Sequence, residues 1–198
     1  MEKIKSFYYY LVTFWYYKLL FGKIGFRTRI YSGLKLVKPK NIYIGSHVYI
    51  GRLSWLAANP LTNMPNCSLV INDGAYIGNL AHIYSTGSIT IGKKALLSDK
   101  VYISDNLHGY DDPDIPYVDQ PLKQLKPVVI GDGTWIGEGV TVIGASVGKQ
   151  SIIGANSVVT KDIPDYCIAV GAPAKIIKRY CADDKIWKKT TPDGVFIN

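Results

Sequence analysis

From Ile44 to Val159 an aliphatic residue returns every six positions, and glycine or another small residue often follows it. The series opens with Ile44-Gly45 and Ile50-Gly51, then resumes at Ile71-Asn72, Ile77-Gly78, Ile83 and Ile89. After a slip of two residues come Ile91-Gly92, Leu97-Ser98 and Ile103-Ser104. The last run holds Ile130-Gly131, Ile136-Gly137, Val142, Val147-Gly148, Ile153-Gly154 and Val159-Thr160, with one five-residue step between Val142 and Val147. A helix of 3.6 residues per turn would scatter these positions around its surface. Simple two-sided strand alternation would not demand a small residue beside every third apolar position. A three-sided solenoid satisfies both features. Each side is a short strand, the aliphatic residue points inward, and the small residue sits at the corner where the backbone turns. Three sides make a coil of about eighteen residues, and coils stack roughly 4.8 Å apart by parallel hydrogen bonding into one continuous apolar column.

The pattern predicts an all-β solenoid over 41–175, interrupted by excursions at 52–68 and 109–127. The second interruption carries Asp111, Asp112, Pro113, Asp114 and Pro116 and reads as an ordered loop, the kind that usually serves a function in a compact repeat. Residues 1–40 form an aromatic and basic segment, expected to be helical, and 176–198 a short C-terminal tail with further Lys and Arg and Trp187. Phe7 to Phe21 reads FYYYLVTFWYYKLLF, too short and too polar at Lys18 for a spanning helix, and it lacks a small-residue cleavage site. Two readings of it stay open: a helix packed over one end of the domain, or contact with a membrane interface, which Tyr, Trp and flanking Lys3, Lys5, Lys18 and Lys23 favour.

Composition narrows the partners. The 198 residues suit one domain, and 47% hydrophobic against 19% charged residues can fill a core. A formal net charge of +8 favours polyanionic partners such as an anionic membrane or a phosphate-rich cofactor. No Arg-rich stripe, RNA-reading motif or zinc-finger spacing accompanies it, so nucleic acid is not expected. Cys67, Cys167 and Cys181 are odd in number and widely spaced, which argues against a disulfide framework or a metal site and for a reducing cytosol.

Four segments carry a family resemblance. They are Ser104-Asp105-Asn106-Leu107-His108-Gly109-Tyr110, the stretch Pro127 to Gly137, the stretch Ile153 to Pro164, and Val170-Gly171-Ala172-Pro173-Ala174-Lys175. In this order they resemble the hexapeptide-repeat acyltransferases, nearest the maltose/galactoside acetyltransferase and O-antigen or capsule O-acetyltransferase branch, over about residues 41–180. The resemblance implies a left-handed parallel β-helix; spacing alone would not, since ordinary parallel crossovers are right-handed. It also implies a homotrimer, acetyl-CoA as cosubstrate in a groove between neighbouring β-helices, a sugar or saccharide acceptor, and no metal. The site would be cytoplasmic, at the inner face of the membrane if the N-terminal segment touches lipid.

Acyl transfer needs a base for the acceptor proton, donors for the oxyanion and an aligned thioester. Imidazole suits the first role. His108 lies five residues after the repeat position Ile103, at the mouth of the long loop. By itself that is an ordinary loop histidine; the resemblance makes it the general base. Asn106 stands where many relatives carry a first histidine, so His108 would act alone. Asp105 either orients His108 and meets the acceptor or caps a turn. Asn79 and His82, one coil earlier, are candidate acceptor contacts, and His47 is structural or exposed. The resemblance places Trp135 and the backbone around Gly137, Ala155 and Thr160 along the acetyl-CoA groove, with Lys161, Lys175 and Lys178 toward its phosphates. Two other readings remain: an N-acetyltransferase of a nucleotide-linked amino sugar, and a non-catalytic structural or binding β-helix.

Overall fold

The computed structural model describes residues 13–197. The chain winds as a left-handed parallel β-helix. The first coil holds β1 (Lys23–Ile24), β2 (Arg29–Ile30) and β3 (Lys35–Val37), and the second β4 (Ile42–Ile44), β5 (Tyr49–Ile50) and β6 (Trp55–Ala58). The third holds β7 (Ser68–Ile71), β8 (Tyr76–Ile77) and β9 (His82–Ser85), and the fourth β10 (Ser88–Ile91), β11 (Leu96–Leu97) and β12 (Tyr102–Ser104). A hairpin, β13 (Asn106–His108) and β14 (Leu122–Gln124), then leaves the prism. The fifth coil is β15 (Val128–Ile130), β16 (Trp135–Ile136) and β17 (Thr141–Ile143). The sixth has a bridge at Val147, then β18 (Ile152–Ile153) and β19 (Val158–Val159); the seventh a bridge at Ile163, then β20 (Cys167–Val170). Equivalent sides stack into three parallel sheets, one running β1-β4-β7-β10-β15, one β2-β5-β8-β11-β16-β18-β20, and one β3-β6-β9-β12-β17-β19.

The repeat residues form the core. Ile44, Ile50, Ile71, Ile77, Ile83, Ile91, Leu97, Ile103, Ile130, Ile136, Val142, Ile153 and Val159 are at most 1% exposed and belong to one cluster. Each buried side chain of this size contributes about 1.5–3 kcal/mol. Ile89 and Ile91 are both inward on β10, which absorbs the two-residue slip in the pattern.

Three expected boundaries move. The β-helix begins at Lys23 rather than residue 41, because β1, β2 and β3 pair in parallel with β4, β5 and β6. The six-residue series was already present in Ile24-Gly25, Ile30 and Leu36, under a crowd of lysines and aromatics that point outward. The first excursion is 59–67, not 52–68, since Leu56 keeps the inward position of β6 with alanine instead of glycine after it. The C-terminal segment is a structured hairpin: β21 (Lys175–Cys181) pairs antiparallel with β20, and β22 (Ile186–Lys189) with β21. An antiparallel cover of this kind closes an edge that would otherwise offer unpaired backbone groups. At the opposite end lies α1 (Phe14–Leu20), whose last carbonyls receive the Lys40 ammonium at Leu19 O (2.5 Å). Phe21, 2% exposed, plugs the prism there, with Phe14 and Tyr17 packed against the core. The expected helix therefore exists from Phe14 onward; residues 1–12 of that segment lie outside the described residues.

The reason for glycine after the inward residue also differs from expectation. The left-handed backbone sits three residues past the inward aliphatic, as at His47 (φ 59°), Leu80 (φ 56°), Lys94 (φ 52°) and Lys100 (φ 58°). The glycine directly after the aliphatic is needed for close stacking instead: a Cβ on Gly92 would lie 2.6 Å from Asp132 N of the next coil. Gly92→Ala is therefore expected to cost about 1–3 kcal/mol through overpacking. Lys94→Gly should be nearly neutral, since relief of about 1–2 kcal/mol of left-handed strain offsets the entropy glycine adds to the unfolded chain. Denaturant midpoints of the two variants check the contrast; equal losses would contradict it.

Candidate active site

The hairpin that carries His108 is anchored by two buried polar residues. Asp105 is 0% exposed and leaves β12 at the corner toward the hairpin. Its carboxylate accepts from Thr86 N (2.8 Å), Gly87 N (2.9 Å), Ser85 Oγ (2.9 Å) and Asn106 Nδ2 (3.1 Å). Gln124 at the other foot donates from Nε2 to Asp105 O (2.8 Å) and accepts from Thr62 Oγ1 (2.6 Å) and Thr86 Oγ1 (2.9 Å). The excursion at 59–67, the turn at 85–87 and the hairpin are thus tied together at one corner of the prism. The link to Thr62 and Thr86 was not expected: Gln124 belongs to no repeat position, and only the stacking of coils brings those residues to it.

This arrangement corrects the expectation for Asp105. Its two oxygens serve turn and backbone donors, none of them from His108, and no surface of it remains to meet an acceptor. The alternative reading, a turn anchor, describes it. A buried carboxylate needs such donors because leaving it unpaired in the interior is costly. Asn106, 8% exposed, sends Nδ2 to Tyr84 O (3.3 Å) and to Asp105, so it braces the hairpin.

His108 ends β13, opposite Leu122 of β14, and is exposed. Beyond it the loop is ordered by Gln120, whose amide donates to Asp112 O (2.8 Å) and Ile115 O (2.9 Å). Lys123 pairs with Asp111 and lies over the Tyr110 ring (4.3 Å), next to the imidazole strand. The predicted ordered excursion has this hairpin stem as its physical basis.

His82 lies one coil before the strand that leads to His108, opposite Tyr102, and Asn79 at the corner before it. His82 faces outward on β9, stacked on Trp55 (4.2 Å, 6° between planes) and met edge-on by Tyr102 (5.1 Å). Its Nε2 is buried with no hydrogen-bond partner among the described residues. Burial, then the nearby Lys35 ammonium, lowers its pKa below the ordinary imidazole value, so the ring stays neutral near pH 7. Asn79 lies at the corner between β8 and β9, the far edge of the sheet from the hairpin. It accepts from Arg52 N (2.9 Å) and donates to Asp99 Oδ2 (3.1 Å), a ladder between successive coils. Within the chain, His82 thus belongs to an aromatic stack and Asn79 to a ladder between coils. His47 is exposed at a corner of the second coil.

The groove candidates divide among four places. Trp135 faces outward on β16, 47% exposed, with Nε1 3.3 Å from Ser98 Oγ. Gly137 is buried and its N–H donates to Ile153 O (2.8 Å); a Cβ there would meet Ala155 N at 2.6 Å. Ala155 is exposed at the same corner one coil on, and Thr160 and Lys161 are exposed at the next corner, beyond β19. Lys175 and Lys178 are exposed on β21, opposite Val170 and Ile168. Among the described residues no group of three His, Cys, Asp or Glu side chains could hold a metal ion. All three cysteines are free, and burial raises the Cys67 thiol to about 11.

Comparison with known proteins follows this geometry. Residues 127–161, the coils just after the hairpin, match the family described as the hexapeptide repeat of succinyl-transferase. The chain is 39% identical over 128 residues to a putative lipopolysaccharide biosynthesis O-acetyl transferase, WbbJ, of Escherichia coli K12, a match covering 61% of this chain and 65% of that protein. It is 39% identical over 136 residues to a probable acetyltransferase, Rv3034c, of Mycobacterium tuberculosis, covering 68% of this chain and 43% of that protein. The chain thus spans less than two thirds of the length of these relatives. Among solved structures, a hexapeptide-repeat acetyltransferase of Vibrio cholerae, VCA0836, superimposes with a TM-score of 0.57 at 25% identity, over 82% of this chain and 76% of that one. AntD, an N-acyltransferase of Bacillus cereus solved with dTDP and 3-hydroxybutyryl-CoA, shares the fold with a TM-score of 0.70 at 21% identity, over 84% of this chain and 87% of that one. With its six-residue repeat, its three-sided coils and these likenesses, the chain belongs to the hexapeptide-repeat acyltransferase family.

Proposed function

We propose that the protein transfers the acetyl group of acetyl-CoA to a hydroxyl of a sugar or saccharide precursor, with His108 as general base. The observation that carries this reading is an exposed imidazole at the end of β13, on a hairpin stem held by the buried Asp105 and Gln124. A base must be accessible to substrate yet fixed in position, and the anchored stem supplies both. The imidazole takes the hydroxyl proton as the oxygen attacks the thioester carbonyl. The tetrahedral intermediate then collapses, the C–S bond breaks, and the proton passes to the departing CoA sulfur. No covalent enzyme intermediate and no metal enters the scheme. Trp135, Ala155 and Thr160 would line the cofactor's arm, and Lys161, Lys175 and Lys178 would meet its phosphates as point charges. A homotrimer fits this reading, since these groups lie on one sheet and the corners beyond it, and a neighbouring β-helix would close the groove over them. Free cysteines accord with work in the cytosol, where acetyl-CoA is made.

The name of the Escherichia coli relative favours ester over amide formation. Amide formation on a nucleotide-linked amino sugar is the second reading, favoured by the AntD likeness in fold alone. A mass-spectrometric screen of purified protein with acetyl-CoA and candidate sugars tests both. The expected product gains one acetyl group that hydroxylamine removes, as it does from esters. An acetyl group resistant to hydroxylamine would establish the second reading, and no acetylated sugar with any donor would favour a non-catalytic β-helix.

A further inference from the structure

The charge of this protein is concentrated at one end of the prism. Residues 3–72 hold ten Lys and Arg and no Asp or Glu, whereas residues 73–198 hold thirteen Lys and Arg against fourteen Asp and Glu. Winding turns this sequence asymmetry into a spatial one, because coils stack in chain order. Lys23, Arg29 and Lys35 lie on the three sides of the first coil, Arg27, Lys38 and Lys40 at its corners, and Lys18 on α1. The same end exposes large apolar side chains: Leu19 is 76% exposed, Phe26 64%, Tyr16 59% and Trp15 56%. Between α1 and the first coil runs a cleft of about 980 Å³ lined by Trp15, Lys18, Phe26, Arg27, Arg29 and His47. Lys18 sits over the Trp15 ring (4.6 Å) and Arg27 over the Phe26 ring (5.4 Å), so cation and aromatic alternate across its mouth.

We propose that this N-terminal end docks end-on against an anionic membrane surface, with Trp15, Leu19 and Phe26 entering the interface and the collar of cations meeting lipid phosphates. Tyr and Trp partition to the headgroup region, and basic groups near an anionic leaflet each add to the attraction. No helix among the described residues is long and apolar enough to cross a membrane, so the contact is peripheral. A nucleic acid would be drawn by the same charge, but Leu19 and Phe26 offer it nothing to pair with, whereas a lipid interface buries both. The prism axis then stands away from the bilayer, and the hairpin with His108, three coils beyond the collar, stays clear of the lipid. The inference stands on its own whatever reaction the hairpin performs.

Co-sedimentation of the full chain with vesicles of phosphatidylcholine, with or without phosphatidylglycerol, tests it. Binding is expected only with phosphatidylglycerol and should weaken as salt shortens the Debye length below about 8 Å. Lys18→Gln and Arg27→Gln should each weaken binding about fivefold, and Trp15→Ser with Phe26→Ser at least tenfold. Lys188→Gln with Lys189→Gln, at the opposite end, should change nothing. None of these side chains is buried, so folding should survive; if a variant fails to fold, quenching of wild-type tryptophan emission by brominated lipid in the anionic vesicles replaces it. The proposal is overturned if wild type ignores anionic vesicles, binds neutral ones equally, shows no such quenching, or loses as much from the Lys188 and Lys189 changes. It is equally overturned if duplex DNA, and not vesicles, is bound with the same losses.

Discussion

His108→Ala is expected to lower acetyl transfer by roughly 10²–10⁴-fold, the usual contribution of a positioned general base. Stability should stay within about 0.5 kcal/mol of wild type, because the side chain is exposed and away from the stacked core. KM for acetyl-CoA should hardly change, since the imidazole acts on the acceptor proton rather than on the cofactor's arm. Steady-state kinetics of the wild type and the alanine variant, with thermal midpoints alongside, check all three. Turnover at the wild-type rate in a folded His108→Ala protein would remove the base assignment and leave the fold untouched.

Asp105→Ala should be the most destabilising single change near the site, by about 3–5 kcal/mol. It strands Thr86 N, Gly87 N, Ser85 Oγ and Asn106 Nδ2 in a region closed to water. Buried donors left without partners each cost about 1–3 kcal/mol. Asp105→Asn should lose less, since one oxygen survives, but its amide nitrogen would face donors. Turnover should fall in both, because the hairpin foot loosens and the imidazole with it. Denaturant midpoints separate this from a direct role: a carboxylate that acted only by orienting His108 would leave the midpoint of Asp105→Asn unchanged while cutting kcat.

The two predictions differ in how visible their residues were in the chain. His108 was found by the motif around it, and its exposure at the mouth of the loop follows from the distance to Ile103. Asp105, three residues before it in that motif, had two open readings, because it sits at a corner between strands and the motif does not say which way such a residue faces. The structure sends it inward to Thr86 and Gly87, residues of the previous coil. Gln124 carried no sequence signal at all, being outside every repeat, yet it holds the second foot of the hairpin. His82 and Asn79 show what the chain left out: His82 begins β9 in an aromatic stack and Asn79 holds the corner before it, partners that spacing along the chain does not reveal.

The first coil was hidden for a different reason. Ile24, Ile30 and Leu36 keep the repeat, but the aromatic run before them and the lysines among them made the segment read as an appendage. Outward positions of a β-helix are free to be polar or aromatic, so composition masks a period that only the inward positions must obey.

What the chain by itself determined is the three-sided coil and its apolar column, because burial of an aliphatic at every sixth residue admits few other windings. It also determined that an imidazole stands at the edge of a long insertion and that positive charge gathers toward the N-terminus. Only the tertiary structure decided which neighbours face in and which face out at each corner, that glycine is demanded by the coil above rather than by the turn, and that the charged segment becomes one end of a prism. Those outcomes depend on contacts between residues some twenty or more positions apart, such as Asp105 with Thr86 or Gly92 with Asp132, and the spacing along the chain does not encode the stacking offset that makes them.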